Sequence, residues 1–240
     1  MIKLIYILLF SFLLLFNVYA EEKLSKEEIQ RIVHEYIMEN PEVILESVDN
    51  LRKKMEESKT ESNNFLSEEF KNFANDEKIP SFGKKDAKVI IVEFLDYNCV
   101  YCKKSLDAII TLLESDLNIK VSFRDYPILS RSSRIAAKAV LASKNQNKYF
   151  EFHSALLNAK ENLTEDKIYK MAENINIDLE KLKNDMKDSK IELIIQENET
   201  LARKLNIRGT PTFIINGKLY AGALELDKLK TLIEKALSES

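Results

Sequence analysis

Lys88-Val89-Ile90-Ile91-Val92-Glu93-Phe94-Leu95-Asp96-Tyr97-Asn98-Cys99-Val100-Tyr101-Cys102-Lys103 is the stretch on which the fold turns. Lys88 to Leu95 is a β-branched apolar run of strand length, and Val89 to Val92 suit a strand buried on both faces of a sheet. The two cysteines follow at once. Lys103 to Ser115 continues as an amphipathic helix through Leu106, Ile109, Ile110 and Leu113, and Ile119 to Arg124 reads as the next strand. The expected result is a parallel, right-handed strand-helix-strand unit with the cysteines at its strand-to-helix turn.

Cys99 and Cys102 are the only cysteines in 240 residues. Two thiols at the mouth of a helix can be bridged, and the first meets unpaired backbone N–H groups and the helix dipole, which stabilise an anion. Cys99 is therefore expected to be the catalytic thiolate, with Cys102, one turn further in, as its resolving partner. Such sites titrate at roughly 3.5–7 instead of about 8.5, which makes the sulfur both nucleophile and good leaving group. In the oxidising direction a substrate thiolate attacks Cys99, expels Cys102, and a second substrate thiol resolves the mixed disulfide. The chemistry asks for no cofactor. Half a zinc site would need more ligands than His34 and His153 can supply, and haem attachment would need histidine where Lys103 stands. A purely structural Cys99-Cys102 disulfide remains an alternative, as do a Cu(I)-holding thiolate pair and a peptide-binding chaperone without catalysis.

Toward the N-terminus, Lys3 precedes an apolar run from Leu4 to Phe16 and the small-residue site Val18-Tyr19-Ala20. Residues 1–20 read as a secretory signal peptide cleaved after Ala20. An uncleaved anchor is the alternative, but about 13 apolar residues fall short of the roughly 20 that span a bilayer. Export suits disulfide chemistry, and a bridge this short closes almost no loop, so its value is chemical.

Residues 21–64 read as an N-terminal helical segment and linker. Ser25 with Glu28 forms a capping box before Ile29, Ile32, Val33, Tyr36 and Ile37, and Asn40-Pro41 restarts a helix through Ile44, Val48, Leu51 and Met55. This narrow stripe needs cover, either from the main domain or from another copy of itself; self-association is favoured, giving a homo-oligomer. Residues 56–64 are polar without periodicity and read as the linker. Within the globular domain, 65–240, a short lead-in helix and a loop from Pro80 to Asp86 precede the first strand. A helical insertion at about 128–206 starts near Ser132, with further helix starts at Asn147, Thr164, Asp178 and Ser189. Thr212 to Ile215 and Lys218 to Ala221 pair around Asn216-Gly217, and a last helix runs from Leu226 to Leu237. Thirty-six Lys and Arg against 39 Asp and Glu, interspersed, offer no nucleic-acid face.

Thr210-Pro211, after Gly209, is consistent with a cis bond that leaves neighbouring backbone groups free to pair with an extended peptide; an ordinary trans proline opening a strand is the alternative.

Val92 to Lys103, with Gly209-Thr210-Pro211-Thr212-Phe213 downstream, resembles the bacterial periplasmic DsbA-like thiol oxidoreductases over about residues 80–238. The resemblance implies an α/β thioredoxin-like fold with an inserted α-helical domain, Cys99 as nucleophile, Cys102 as resolving thiol, and Pro211 as a cis-proline beside them. Tyr36-Ile37-Met38-Glu39-Asn40-Pro41-Glu42-Val43-Ile44 is similar to the leading helices of the oligomeric, suppressor-of-copper-sensitivity-type members. Thiol-containing exported client proteins and a membrane redox partner that resets the disulfide are implied with it. Strongly oxidising members carry Pro-His between the cysteines, so Val100 and Tyr101 withhold a histidine's cationic support from the Cys99 thiolate. Glu93 is either a partly buried carboxylate relaying protons to Cys102 or an acid facing solvent. Asp96 reads as a turn or cap residue. Oxidase and isomerase share every one of these residues.

Overall fold

The computed structural model describes residues 24–239, so the signal-peptide reading lies outside the described residues. The chain divides into two compact units, Met1–Met55 and Glu56–Ser240.

In the first unit, helix α1 (Lys26–Glu39) starts at the expected capping box: Ser25 Oγ accepts from Glu28 N, and Glu28 reaches back to Ser25 N at 2.9 Å. None of its residues is buried. Ile29, Ile32, Val33 and Tyr36 are exposed, as are Ile44, Val48, Leu51 and Met55 of the following helix. Helix α2 runs unbroken from Glu42 to Ala74. The polar stretch 56–64 is therefore helical, not an irregular linker, and Phe65 to Phe73 continue the same helix. Glu, Lys and Ser without Gly or Pro carry no break signal, so lack of amphipathicity alone is a poor sign of a loop.

The second unit is built on a five-stranded sheet of order β1-β3-β2-β4-β5. These are β1 (Ser81–Gly83), β2 (Val89–Leu95), β3 (Ile119–Asp125), β4 (Thr212–Ile215) and β5 (Lys218–Ala221). β2 and β3 are parallel, joined through α3 (Val100–Leu113) as expected. β4 returns antiparallel to β2, and β5 completes the hairpin. Asn216 and Gly217 both hold positive φ, as a tight hairpin turn requires. β1 lies inside the stretch read as a loop. It is only three residues long and holds its place antiparallel to β3, where Gly83, at φ 110°, lies so close to the Ile119 carbonyl that no side chain would fit.

The period-2 alternation of β2 sorts its residues onto two cores. Val92 and Phe94 pack with Leu66 and Phe70 of α2 and with Leu201 of the insertion. Ile91 and Leu95 face the other way, with Val121 and Phe123 of β3, against α3 and the insertion helices. Each fully buried Phe, Leu or Ile contributes about 1.5–3 kcal/mol by leaving water.

The insertion comprises α4 (Arg131–Ser143), α5 (Tyr149–Leu157), α6 (Glu165–Asn174), α7 (Leu179–Asp185) and α8 (Ser189–Lys204), and α9 (Leu226–Ser238) closes the chain. Thr164 and Asp178 cap α6 and α7 as expected. α8 starts at Ser189 as expected, capped by Asp188, while two starts shift: Ser130 caps α4, and Asn147 is no helix start. It ends a 3-10 turn in the left-handed region at φ 58°, a conformation its short polar side chain tolerates, and α5 begins at Tyr149. Among the described residues, no helix is long and apolar enough to cross a membrane.

Candidate active site

Cys99 is the N-cap of α3, with extended backbone at φ −78° and ψ 116°. Its N–H donates to Asp96 O at 2.9 Å and its carbonyl accepts from Lys103 N at 3.1 Å, so the sulfur is held at the helix mouth. Its side chain makes no capping bond and points to the opposite loop, where Cys99 Sγ donates to the carbonyl oxygen of Thr210 at 3.1 Å. The Thr210-Pro211 bond is cis. The Pro211 carbonyl accepts from Gly222 N at 2.9 Å, which ties the loop to the end of β5.

The two thiols are free and unequal. Cys99 retains 6% exposure while Cys102 is sealed beneath it at 0%. Cys99 is lowered to about 5, chiefly because Cys102 Sγ donates to its anion; the Thr210 side chain and the backbone N–H groups of Cys102 and Tyr101 add to this against the cost of burial. Cys102 is pushed far up, first by burial, then by its bond to Cys99 and the nearby Glu93 carboxyl. One sulfur is thus an anion at neutral pH and its neighbour a thiol. Val100 and Tyr101, between them, are both 59% exposed and, with Ile128 and Leu129, form an apolar rim. A groove lined by Tyr101, Lys104, Ala108, Thr210, Gly222 and Leu224 opens beside it.

Glu93 does not face solvent. It is 2% exposed on the central strand, opposite Phe123 and Phe213, and burial followed by the Cys99 charge raises it to about 8. Asp96 has the expected turn role: Oδ1 accepts from Asn98 N at 2.8 Å and Oδ2 from Leu129 N at 3.0 Å. Cys99, Cys102, Thr210, Pro211 and Glu93 are thus brought to one end of the sheet, whereas His34 stays in the first unit and His153 lies in α5.

Four residues absent from the sequence reading complete the surroundings. Asn98 Nδ2 donates to Ser130, Ser132 and Ser133 Oγ, and its Oδ1 accepts from Leu163 N at 2.7 Å, fastening the cysteine loop to the insertion. Tyr97 OH bonds His153 Nδ1 at 3.0 Å in a buried layer that Tyr149 and Asp125 also enter. The available signal was Asp125 itself, an acid in register with the apolar positions Ile119, Val121 and Phe123 of its strand; α5 carried a second, Tyr149 and His153 one turn apart.

Residues 74–235 match the family model described as Thioredoxin, and residues 26–57 match that of the Copper resistance protein ScsC N-terminal domain. Disulfide bond formation protein D of Bacillus subtilis is 29% identical over 170 residues, covering 66% of this chain and 77% of that protein. The structure of the thiol-disulfide exchange protein alpha-DsbA2 from Wolbachia pipientis superposes with a TM-score of 0.68 at 35% identity, over 74% of this chain and 96% of that one. Proteus mirabilis ScsC in a transitional conformation matches at TM-score 0.68 and 26% identity, over 92% of this chain and 100% of that one. The chain spans only about a quarter, 24%, of the Na(+)/H(+) antiporter NhaA 1 of Salinispora arenicola, to which it is 28% identical over 158 residues. With one family model covering residues 74–235 and the other the leading helices, the chain belongs to the thioredoxin family, as a DsbA-like oxidoreductase with an ScsC-type N-terminal segment.

Proposed function

We propose that this protein forms or reshuffles disulfide bonds in exported proteins, with Cys99 as attacking sulfur and Cys102 as resolving thiol. The observation that carries this is the asymmetry of the pair: an accessible anion over a sealed, protonated neighbour. A client thiolate attacks Cys99 of the oxidised pair, the S–S bond breaks toward Cys102, and that sulfur takes a proton. A second client thiolate then attacks the mixed disulfide, and Cys99 leaves as its stable anion. The Thr210-Pro211 loop and the groove beside it hold the client backbone in extended form, and the apolar rim holds its side chains. Glu93, poised near 8, exchanges the proton that Cys102 gains and loses. A membrane redox partner resets the pair, and the leading helices assemble the chain into a homo-oligomer in the periplasm.

The test is trapping. Cys102→Ala should accumulate mixed disulfides through Cys99, and Cys99→Ala should not; equal trapping by both, or by neither, removes the assigned roles. The reduction potential against glutathione then sorts the activity: near roughly −120 mV an oxidase, near roughly −180 mV an isomerase, near roughly −270 mV a reductase. Cu(I) binding across the pair is the second reading, suggested by the copper-resistance description of the N-terminal match. It would need a thiolate at Cys102, which burial opposes. Titration of the reduced protein against a competing chelator, with a cysteine-free variant as control, decides it.

A further inference from the structure

Glu93 is not the only buried acid on the two parallel strands. Glu93 of β2 lies opposite Phe123 of β3, and Asp125 follows two positions later, opposite Leu95. Period 2 therefore puts both carboxyls on the same sheet face as diagonal neighbours, the face that packs against α3. Asp125 is 1% exposed, and the Tyr97 hydroxyl is the polar group set against its carboxyl. The Tyr149 hydroxyl also turns to Tyr97, and the buried Nε2 of His153 has no hydrogen-bond partner among the described residues. These side chains close one chamber: the Tyr149 and His153 rings stack at 5.8 Å, and Tyr97 meets His153 edge-on at 5.6 Å with its hydroxyl on Nδ1.

Buried carboxyls with no cation beside them are more stable as neutral acids than as anions. Asp125 is raised to about 8, first by burial and further by the Asp96 charge; Tyr97 alone opposes the rise. Charge on either Asp125 or Glu93 acts on the Tyr149 hydroxyl, so the tyrosine senses both acids. Arg124, the nearest cation in sequence, turns to the opposite face, donating to Asn198 Oδ1 at 2.7 Å and to the Phe73 carbonyl. No cation is therefore recorded against Asp125 among the described residues.

Resting on the thiol-exchange reading, we propose that Asp125 is a second proton-holding carboxyl of the redox centre, a positioning residue coupled to Glu93 through Tyr149. Reduction of the Cys99-Cys102 bond takes two electrons from a dithiol or glutathione; Cys102 gains a proton and Cys99 stays an anion. That new charge draws a further fraction of a proton from solvent onto the acid pair, and reoxidation releases it. Coupled in this way through Tyr149, the two acids give up protons as a pair over a broad pH span rather than in one step.

The experiment is redox-difference infrared spectroscopy on the full chain, cycled between reduced and oxidised glutathione, with proton uptake followed alongside. Two carboxylic-acid carbonyl bands should shift between the two forms. Glu93→Gln should abolish one and Asp125→Asn the other, the surviving band moving in each case. Of the two protons that two glutathione thiols give up near pH 8, the protein should keep more than one, so net release per two electrons should lie below one and rise in Asp125→Asn. If that variant does not fold, Tyr149→Phe substitutes for it: both bands should persist, with their coupling shift lost. A single band that Glu93→Gln removes, or two bands that Asp125→Asn or Tyr149→Phe leaves unmoved, overturns the proposal. A wild-type chain that does not exchange with glutathione overturns the thiol-exchange reading and this proposal with it; exchange without the Asp125 band overturns this proposal alone.

Discussion

Cys99 Sγ and the carbonyl oxygen of Thr210 stand 3.1 Å apart although 111 positions of chain separate them. The carbonyl accepts from the thiol but offers the thiolate nothing, so the anion depends on its donors. Cys102 is the largest of these. Alkylation of Cys99 against pH should show a midpoint near 5, and Cys102→Ala should move it up by about one pH unit or more. An unmoved midpoint would mean that the helix mouth alone stabilises the sulfur.

The buried acids tilt the stability curve. Glu93 titrates near 8 when folded against 4.5 as an unperturbed carboxyl. The native state therefore holds a proton that the unfolded chain sheds above 4.5, and the stability it provides is full below that pH and lost as pH rises through 8. Glu93→Gln should raise unfolding stability at pH 8.5 by on the order of 2 kcal/mol and change it little at pH 4.5 in urea titrations. His153 acts at the other end. Burial holds it at about 3 instead of 6.5, so the unfolded chain binds the extra proton and stability falls as pH drops from 6.5 toward 3.

Asn98 joins the cysteine loop to two parts of the insertion at once. Asn98→Ala leaves Leu163 N without its acceptor and should cost about 1–3 kcal/mol in denaturant unfolding. A change within about 0.5 kcal/mol would place the joint elsewhere.

The leading helices present Ile32 and Leu51 to solvent at 45% and 58% exposure. Ile32→Glu combined with Leu51→Glu should convert an assembly to monomers in sedimentation velocity while the thermal transition of the Glu56–Ser240 unit stays in place. A wild-type monomer at micromolar concentration would end the oligomer proposal.

Much of this molecule was legible from local pattern because local physics decides those parts. The β-branched run of β2, the capping box at Ser25, the Asn-Gly hairpin and the cysteines at a helix mouth each carry their own signal. The placing of Glu93 and Asp125 on one sheet face carries none, since it depends on the register of two strands separated by a whole helix. β1 is invisible for a similar reason: three residues hold a strand only because β3 is there to pair with. The burial of Glu93 was undecidable because its strand is covered on both faces, which leaves no alternation to read. Asn147 misled through a side chain that caps helices and tolerates left-handed turns alike.

The insertion places β4 after five helices, yet β4 pairs directly with β2. During synthesis the cysteines emerge long before Thr210, and a nascent chain halted within the insertion carries both sulfurs without the loop that faces them. Such a fragment has the two sulfurs and their helix mouth but no cis-proline loop against which a client backbone could lie. The client-holding face is completed only when β4 docks on β2, so the order of synthesis delays recognition of clients until the chain is nearly finished.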